Sequence, residues 1–135
     1  MGRIITSVQI FNVQEPSQNL RCDAMVDTGA TFMVLPTAWK DRLGELQTIE
    51  KVRLETATQA TVEGEICGPV RIQLEGFRPI YNEVVFVAME PENGIYEPLV
   101  GYIVLEQSQA AVDMIGHRLI HVKHFDLKMK TKFNG

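Results

Sequence analysis

The residues best suited to chemistry in this sequence are an aspartate and the three small residues that follow it, Asp27, Thr28, Gly29 and Ala30. Apolar residues precede the aspartate at positions 24–26, and a second apolar run follows at positions 32–35. A carboxylate between two buried strands is costly to desolvate unless it is paired or hydrogen-bonded. A fold tolerates that cost more readily at a functional site, so Asp27 is the candidate catalytic residue.

The residues after Asp27 have side chains and backbone suited to supporting a reactive carboxylate. Gly29 allows a tight turn and a close approach of the main chain, and its amide can donate to Asp27. The Thr28 hydroxyl is both donor and acceptor on a stiff stem, and it can bond to a symmetry-related copy of the loop. An ordinary Asp-x-Gly turn in a β-hairpin is the alternative interpretation of the tripeptide alone.

Around this segment the pattern of apolar residues predicts an all-β domain with one or two short helices. The residues predicted to form strands are 4–11, 20–26, 31–35, 52–56, 62–66, 70–74 and 79–88. Within the last of them, residues 84–88 are continuously apolar and are expected to be fully buried. Short helices are predicted over residues 38–43 and 103–109, and a final strand pair over residues 110–114 and 119–122.

Length and composition restrict the class of protein. The 135 residues fit one domain, and 45% apolar residues are enough for one hydrophobic core. The net charge of −4 argues against a nucleic-acid partner, because phosphate binding favours a basic surface. Cys22 and Cys67 are too few for a disulfide framework, and we expect two reduced thiols packed as small apolar groups.

Targeting and membrane signals are not evident in the sequence. Residues 1–5 lack the apolar core of a signal peptide, and no apolar stretch approaches the roughly 18 residues that span a bilayer. The expectation is a cytoplasmic protein that does not associate with a membrane.

Three histidines, His117, His121 and His124, form the one spaced set that could suggest a metal site. They fall in a region predicted as turn and strand, and no Glu or Cys accompanies them at a familiar ligand spacing. We therefore expect surface histidines, with no metal and no other cofactor.

The segment at residues 25–36 resembles the active-site segment of the retropepsin-like aspartic peptidases, in which Val-Asp-Thr-Gly-Ala-Thr enters a strand and a short helix. A second family element, two apolar residues and a glycine before a helix, is similar to Leu99, Val100 and Gly101. The resemblance covers residues 4–122.

The resemblance also places the family's flap, a hairpin that covers the substrate, around Thr58 and Gln59. It implies that these two residues, with Leu99, Val100 and Gly101, contact the substrate. Apolar pockets that give specificity are expected at Phe32, Val62, Leu99 and Val100.

What the resemblance implies is a retropepsin-like closed β-barrel or sandwich, one lobe of an aspartic protease, over residues 1–122, followed by a tail of uncertain structure at 123–135. The implied activity is that of an aspartic endopeptidase acting on a peptide or protein substrate. The family uses two carboxylates that share one proton. Asp27 alone has the Thr-Gly context, so a homodimer has to supply the pair. The alternative is a non-catalytic dimerisation or peptide-binding module of the same fold.

Two positions differ from the viral members of the family. Those enzymes usually carry an Asp two residues after the motif glycine and an Arg after the second glycine, where this sequence has Thr31 and Tyr102. The charged groups of the viral enzymes help to hold their dimer together, and their replacement here is similar to the cellular branch of the family.

Overall fold

The structure, a computed structural model, describes residues 3–55 and 59–122. Its strands are β1 (Ile5–Asn12), β2 (Asn19–Val26), β3 (Met33–Pro36), β4 (Gln47–Glu55), β5 (Thr61–Leu74), β6 (Ile80–Val87), β7 (Leu99–Val100), β8 (Ala110–Asp113) and β9 (Arg118–His121). A 3₁₀ helix spans Thr37–Leu43, and α1 spans Tyr102–Ser108. The prediction of a mainly β domain with short helices is confirmed. The predicted tail at residues 123–135 lies outside the described residues.

Six of the strands close into a barrel. The order in the large sheet is β1-β2-β7-β3-β6-β5-β4, and β1 also pairs with β5, which joins the two ends of the ring. β4 lies outside the ring and pairs with β5 to form a long antiparallel hairpin. Closure leaves the inward face of each ring strand to form the core.

The core inside the barrel follows the two-residue period of the strands. On β1, Val8 and Ile10 are buried, and Cys22 and Ala24 are buried on the adjoining β2. Both cysteines are free and buried, as expected from the sequence. Leu35, with no exposed surface, is typical of this cluster, and its replacement by Ala would cost about 2–5 kcal/mol.

The structure differs from the sequence prediction in the long hairpin. β4 begins five residues earlier than predicted, and residues 62–66 and 70–74 belong to one continuous strand, β5. Pro69 lies between the two predicted segments, in an irregularity of the pairing with β6 between Cys67 and Val70. The ladder accommodates this irregularity as a bulge. The strand β7 was not predicted because two residues carry no periodic signal.

The run at residues 84–88 is buried over Val84, Val85, Phe86 and Val87 only. Ala88, which was predicted to be buried, is exposed because β6 ends at Val87 and the chain leaves the barrel there.

The hairpin β8–β9 stands beside the barrel as a separate two-stranded sheet. It is attached through His121, whose ring stacks on Phe77 at 4.3 Å between centroids and whose Nε2 lies 2.8 Å from the Gly76 carbonyl oxygen. None of the helices in the described part of the chain is long and apolar enough to cross a membrane.

Candidate active site

Asp27 is the first residue after β2, and its backbone is fixed by β7. The short strand β7 lies between β2 and β3, pairing Met25 with Leu99 on one side and Val34 with Leu99 on the other. The Asp27 amide continues this ladder by donating to the Val100 carbonyl oxygen at 2.9 Å. The barrel itself therefore positions the aspartate, although the residue lies in a loop.

The loop between β2 and β3 is held by hydrogen bonds to the start of α1. The Ala30 amide donates to the Asp27 carbonyl oxygen at 3.0 Å and closes the turn. The Tyr102 amide donates to the Ala30 carbonyl oxygen at 2.9 Å, and the Ile103 amide to the Thr31 carbonyl oxygen at 3.2 Å. The carbonyl groups of the loop thus bond to the unpaired amides of the helix terminus.

Gly101 allows α1 to approach this loop closely. A β-carbon at residue 101 would lie 2.6 Å from the Thr31 carbonyl carbon and 2.7 Å from the Phe32 amide nitrogen. Both are backbone atoms, so a larger residue would displace the loop that holds Asp27. The role of this glycine is close approach rather than an unusual backbone angle, because its φ is −84°.

The carboxylate of Asp27 is only partly engaged. Oδ1 accepts a hydrogen bond from the Gly29 amide at 2.9 Å. Within residues 3–55 and 59–122, Oδ2 has no hydrogen-bond partner and the side chain forms no ion pair with a Lys, Arg or His. The half-buried carboxylate is therefore oriented by one bond while its other oxygen is available to a ligand.

Asp27 lies in the wall of an open cleft with a volume of about 950 Å³. The apolar residues that line the cleft are Phe32, Val34, Val52, Leu54, Val62, Ile66, Val85, Val87, Met89, Ile95 and Leu99. Most of them belong to a second hydrophobic cluster, separate from the barrel core, that is built on Ile66, Val85 and Val87. An apolar cleft beside a single oriented carboxylate is suited to binding a peptide and acting on it.

The structure brings most of the predicted loop residues to this cleft. Asp27, Gly29 and Ala30 line it, and Thr31 does so as well. Thr28 is exposed beside them, and its hydroxyl has no hydrogen-bond partner in the part of the chain that the structure describes.

The predicted substrate-binding residues fall in different places. Leu99 lines the cleft, whereas Val100 is fully buried in the barrel core and contacts the Asp27 loop through its backbone. Gly101 lies behind the loop rather than facing the cleft. Gln59 is exposed with a left-handed φ of 65° and is not among the residues lining the cleft. Thr58 lies outside the described residues.

The residues expected to form apolar pockets can also be placed. Phe32 and Val62 line the cleft together with Leu99. The sequence did not reveal Val85 and Val87 as cleft residues, since a continuous apolar run predicts burial without indicating which face is covered. Met89 lies beyond the strand, where no periodicity identifies its neighbours.

The histidines do not approach Asp27. His121 is engaged with Phe77 and Gly76 at the far hairpin, His117 is exposed in the turn of that hairpin, and His124 lies outside the described residues. In the described ranges, no group of three or more His, Cys, Asp or Glu side chains could hold a metal ion.

A closed barrel whose β2–β3 loop presents Asp-Thr-Gly to a cleft defines the retropepsin-like class. Comparison with protein families agrees, since the model described as aspartyl protease matches residues 12–102. The match spans well over half of the chain, and the protein therefore belongs to the aspartyl protease family. The resemblance inferred from the sequence is confirmed.

Comparison with solved structures supports the fold independently. The EIAV protease, in complex with the inhibitor HBY-793, matches with a TM-score of 0.57 and 22% sequence identity, covering 78% of this chain and 88% of that chain. The comparison with curated proteins gave no significant match.

Proposed function

We propose that the protein is an aspartic endopeptidase that works as a homodimer, with Asp27 from each subunit forming one catalytic dyad. The observation that carries the proposal is the single Asp-Thr-Gly loop, oriented by the barrel and open to an apolar cleft, in a chain of the aspartyl protease family. Membership of the family supports peptide hydrolysis as the reaction.

The need for two copies follows from the reaction and from the number of suitable aspartates. Hydrolysis without a metal needs one group that takes a proton from water and one that gives a proton to the substrate. Among the described residues, Asp27 is the one aspartate that lines the cleft. Asp23 is exposed on β2, Asp41 lies in the 3₁₀ helix, and Asp113 is the last residue of β8. A two-fold axis beside Asp27 would supply the second carboxylate.

The exposed groups of the loop fit such an axis. Thr28 presents a hydroxyl with no partner in the described ranges, and Asp27 presents a free Oδ2. Two carboxyl groups within about 3 Å of each other cannot both ionise easily, so the pair would hold one proton between them. Thr28 could then bond to the partner's loop and keep the two carboxyl groups in register.

In the proposed reaction the ionised carboxylate accepts a proton from a water molecule as the water oxygen bonds to the scissile carbonyl carbon. The protonated carboxyl group donates its proton to the carbonyl oxygen, which gives a neutral tetrahedral intermediate. This intermediate collapses when a hydroxyl proton returns to a carboxylate. The leaving nitrogen takes a proton from the pair as the carbon–nitrogen bond breaks.

The substrate would bind as an extended strand between the Asp27 loop and the β4–β5 hairpin. Val52, Leu54 and Val62 of the hairpin line the cleft on that side. Main-chain hydrogen bonds would give affinity, and side-chain pockets would give selectivity.

A subunit-mixing experiment tests the shared dyad. Wild-type protein is unfolded and refolded with a threefold excess of Asp27→Asn protein, and hydrolysis of a peptide substrate is measured. With random pairing, about a quarter of the wild-type subunits remain in fully active dimers, so activity should fall to about a quarter of its starting value.

The matched control is Asp113→Asn protein in the same excess, which keeps Asp27 and should not suppress activity. If Asp27→Asn subunits leave the activity unchanged although mixed dimers form, or if a strictly monomeric protein cleaves the peptide, the shared dyad is wrong.

A further inference from the structure

The charged residues that line the cleft are almost all acidic. Besides Asp27 they are Arg3, Glu55, Glu90, Glu92 and Glu97. Arg3 and Glu97 form an ion pair with each other and so neutralise one another. Glu55, Glu90 and Glu92 remain, and none of them forms an ion pair within residues 3–55 and 59–122. We call these three residues the acidic rim.

The acidic rim borders the cleft from two different parts of the chain. Glu55 is the last residue of β4, on the hairpin that forms one wall. Glu90 and Glu92 follow β6, and the backbone of Glu92 is fixed by two reciprocal hydrogen bonds to Ile95, both 2.9 Å. All three residues are exposed to solvent, so their carboxylates are accessible to a charged group of a ligand.

The apolar floor of the same cleft is incompletely filled by the protein itself. Ile66, Val85 and Val87 are buried, but they also line the cleft and pack against the half-buried Phe32 and Met89. A bound side chain would complete this cluster, and covering apolar surface contributes roughly 25 cal/mol per Å². A large aliphatic or aromatic side chain is the best match.

We propose that the acidic rim makes this cleft selective for peptides that carry Lys or Arg within a few residues of a large apolar side chain at the cleavage site. The inference rests on the proposed function, because it assigns a substrate class to the same cleft. An acidic peptide would meet uncompensated like charge, which opposes binding. A two-fold dimer would present the rim on both subunits, and the net charge of −4 acts in the same direction.

The first test measures binding, so it does not depend on cleavage. Fluorescent peptides are built around a central statine flanked by Val and Leu, and they differ only in carrying Lys, Gln or Glu on both sides of this apolar segment. Exposed ion pairs contribute little individually, so the Lys peptide should bind about three- to tenfold more tightly than the Gln peptide. The difference should shrink when NaCl is raised from about 0.05 M to about 0.5 M.

The matched variants separate the rim from the overall charge. The triple variant E55Q/E90Q/E92Q should bind the three peptides equally. The control triple variant E50Q/E75Q/E106Q removes the same charge from exposed positions that do not line the cleft, and it should keep the preference for Lys. Equal binding of the Lys and Glu peptides to wild-type protein, or an unchanged preference in the rim variant, would overturn the inference.

The second test digests a proteome-derived peptide library and determines the cleavage positions by mass spectrometry. Wild-type protein should cut beside large apolar residues with Lys and Arg enriched nearby, and E55Q/E90Q/E92Q should lose that enrichment. Cleavage that requires Asp27 but shows no basic enrichment would leave the proposed function standing and reject the acidic rim. Lys-selective binding without any cleavage would reject the peptidase and retain the rim.

Discussion

Among the described residues, two aspartates immediately precede a tight turn, and each accepts a hydrogen bond from the amide of a glycine that follows it. Asp27 Oδ1 accepts from the Gly29 amide at 2.9 Å, and Asp113 Oδ1 accepts from the Gly116 amide at 3.0 Å. The two turns are alike in that bond and differ in what surrounds the carboxylate.

The carboxylate of Asp113 is fully used by its own turn. It accepts a further bond from the Ile115 amide at 3.1 Å, and the Arg118 Nε donates to its Oδ2 at 3.3 Å. These donors, the Gly116 amide first, lower the pKa of Asp113 below its ordinary value. Within residues 3–55 and 59–122, Asp27 has one amide donor and no cation beside it, and it faces the cleft. A neighbouring cation stabilises the ionised carboxylate, so under the proposed function its absence favours a proton shared between two Asp27 carboxyl groups.

The largest difference in activity between the two turns is expected when each aspartate is replaced by asparagine. Asp27→Asn should lower kcat/KM at least about 10³-fold, because the amide can neither take up nor release the shared proton. Asp113→Asn should leave kcat/KM within about twofold of wild type, since Asp113 is not among the residues that line the cleft. Peptide hydrolysis measures both, with circular dichroism verifying the fold. Comparable losses in the two variants would contradict the assignment.

A smaller loss of kcat/KM is expected from Gly101→Ala, which changes the packing behind the Asp27 loop without replacing the Asp27 side chain. The added β-carbon would meet the Thr31 and Phe32 backbone, so the loop must move. A displacement of about 1 Å at a reactive group can cost about 10²-fold in rate. Overpacking should also lower the free energy of unfolding by about 1–3 kcal/mol. Urea titration measures stability, and kcat/KM per folded molecule separates the two effects. Unchanged activity would show that the loop position is not critical.

Replacing Gly29 or Gly116, the glycines whose amides bond to the two aspartates, should give a smaller difference in activity between the turns. A β-carbon at residue 29 would lie 3.2 Å from Asp27 Oδ1, so Gly29→Ala should reorient the carboxylate and reduce kcat/KM about three- to tenfold. A β-carbon at residue 116 would lie 2.5 Å from Asp113 Oδ2. Gly116→Ala should therefore lower the free energy of unfolding and leave kcat/KM unchanged. Activity and unfolding measured on both variants test the contrast. A loss of turnover in Gly116→Ala would contradict it.

The smallest expected effect is the pH dependence of stability that Asp113 contributes. Because the folded-state pKa is below the ordinary value of 3.8, the ionised form favours the folded protein. The contribution is fully present above that ordinary value and is lost as pH falls through the lowered pKa. Asp113→Asn should therefore have a slightly lower urea midpoint than wild type at neutral pH, and the gap should narrow as the pH falls below the ordinary value of 3.8. If the difference in urea midpoint persisted in acid, it would not come from ionisation of Asp113.

Much of the fold was predictable because its strands and helices follow from patterns of neighbouring residues. The alternation of apolar residues puts Val8 and Ile10 on one face of β1 and Cys22 and Ala24 on one face of β2, and all four are buried. The first short helix was predicted from its start signal, Pro36 and Thr37, and its stop signal, Gly44. The extent of β4 was not, because its residues are almost all exposed and carry no apolar period.

Several contacts depend on residues that are distant in sequence. Asn12 is buried, and its side-chain amide donates to the Leu43 and Glu45 carbonyl oxygens at 2.8 and 2.9 Å. Lys40 pairs with Glu65 at 3.0 Å, tying the 3₁₀ helix to the base of the hairpin and lowering the pKa of Glu65. Neither pairing has a local signal, because no spacing rule relates residues that lie in different elements of the fold.

The sequence by itself determined that this chain is a mainly β protein and that Asp27, Thr28 and Gly29 are its candidate active-site segment. These follow from side-chain periodicity and from the bonding capacity of neighbouring residues, both of which act over a few positions. Only the tertiary structure decided that Val100 supports the aspartate from the core and that Val85 and Val87 line the cleft. It also decided that Glu55, Glu90 and Glu92 line the same cleft. Closure of the barrel brings those residues together, and closure is a property of strand pairing across the whole chain.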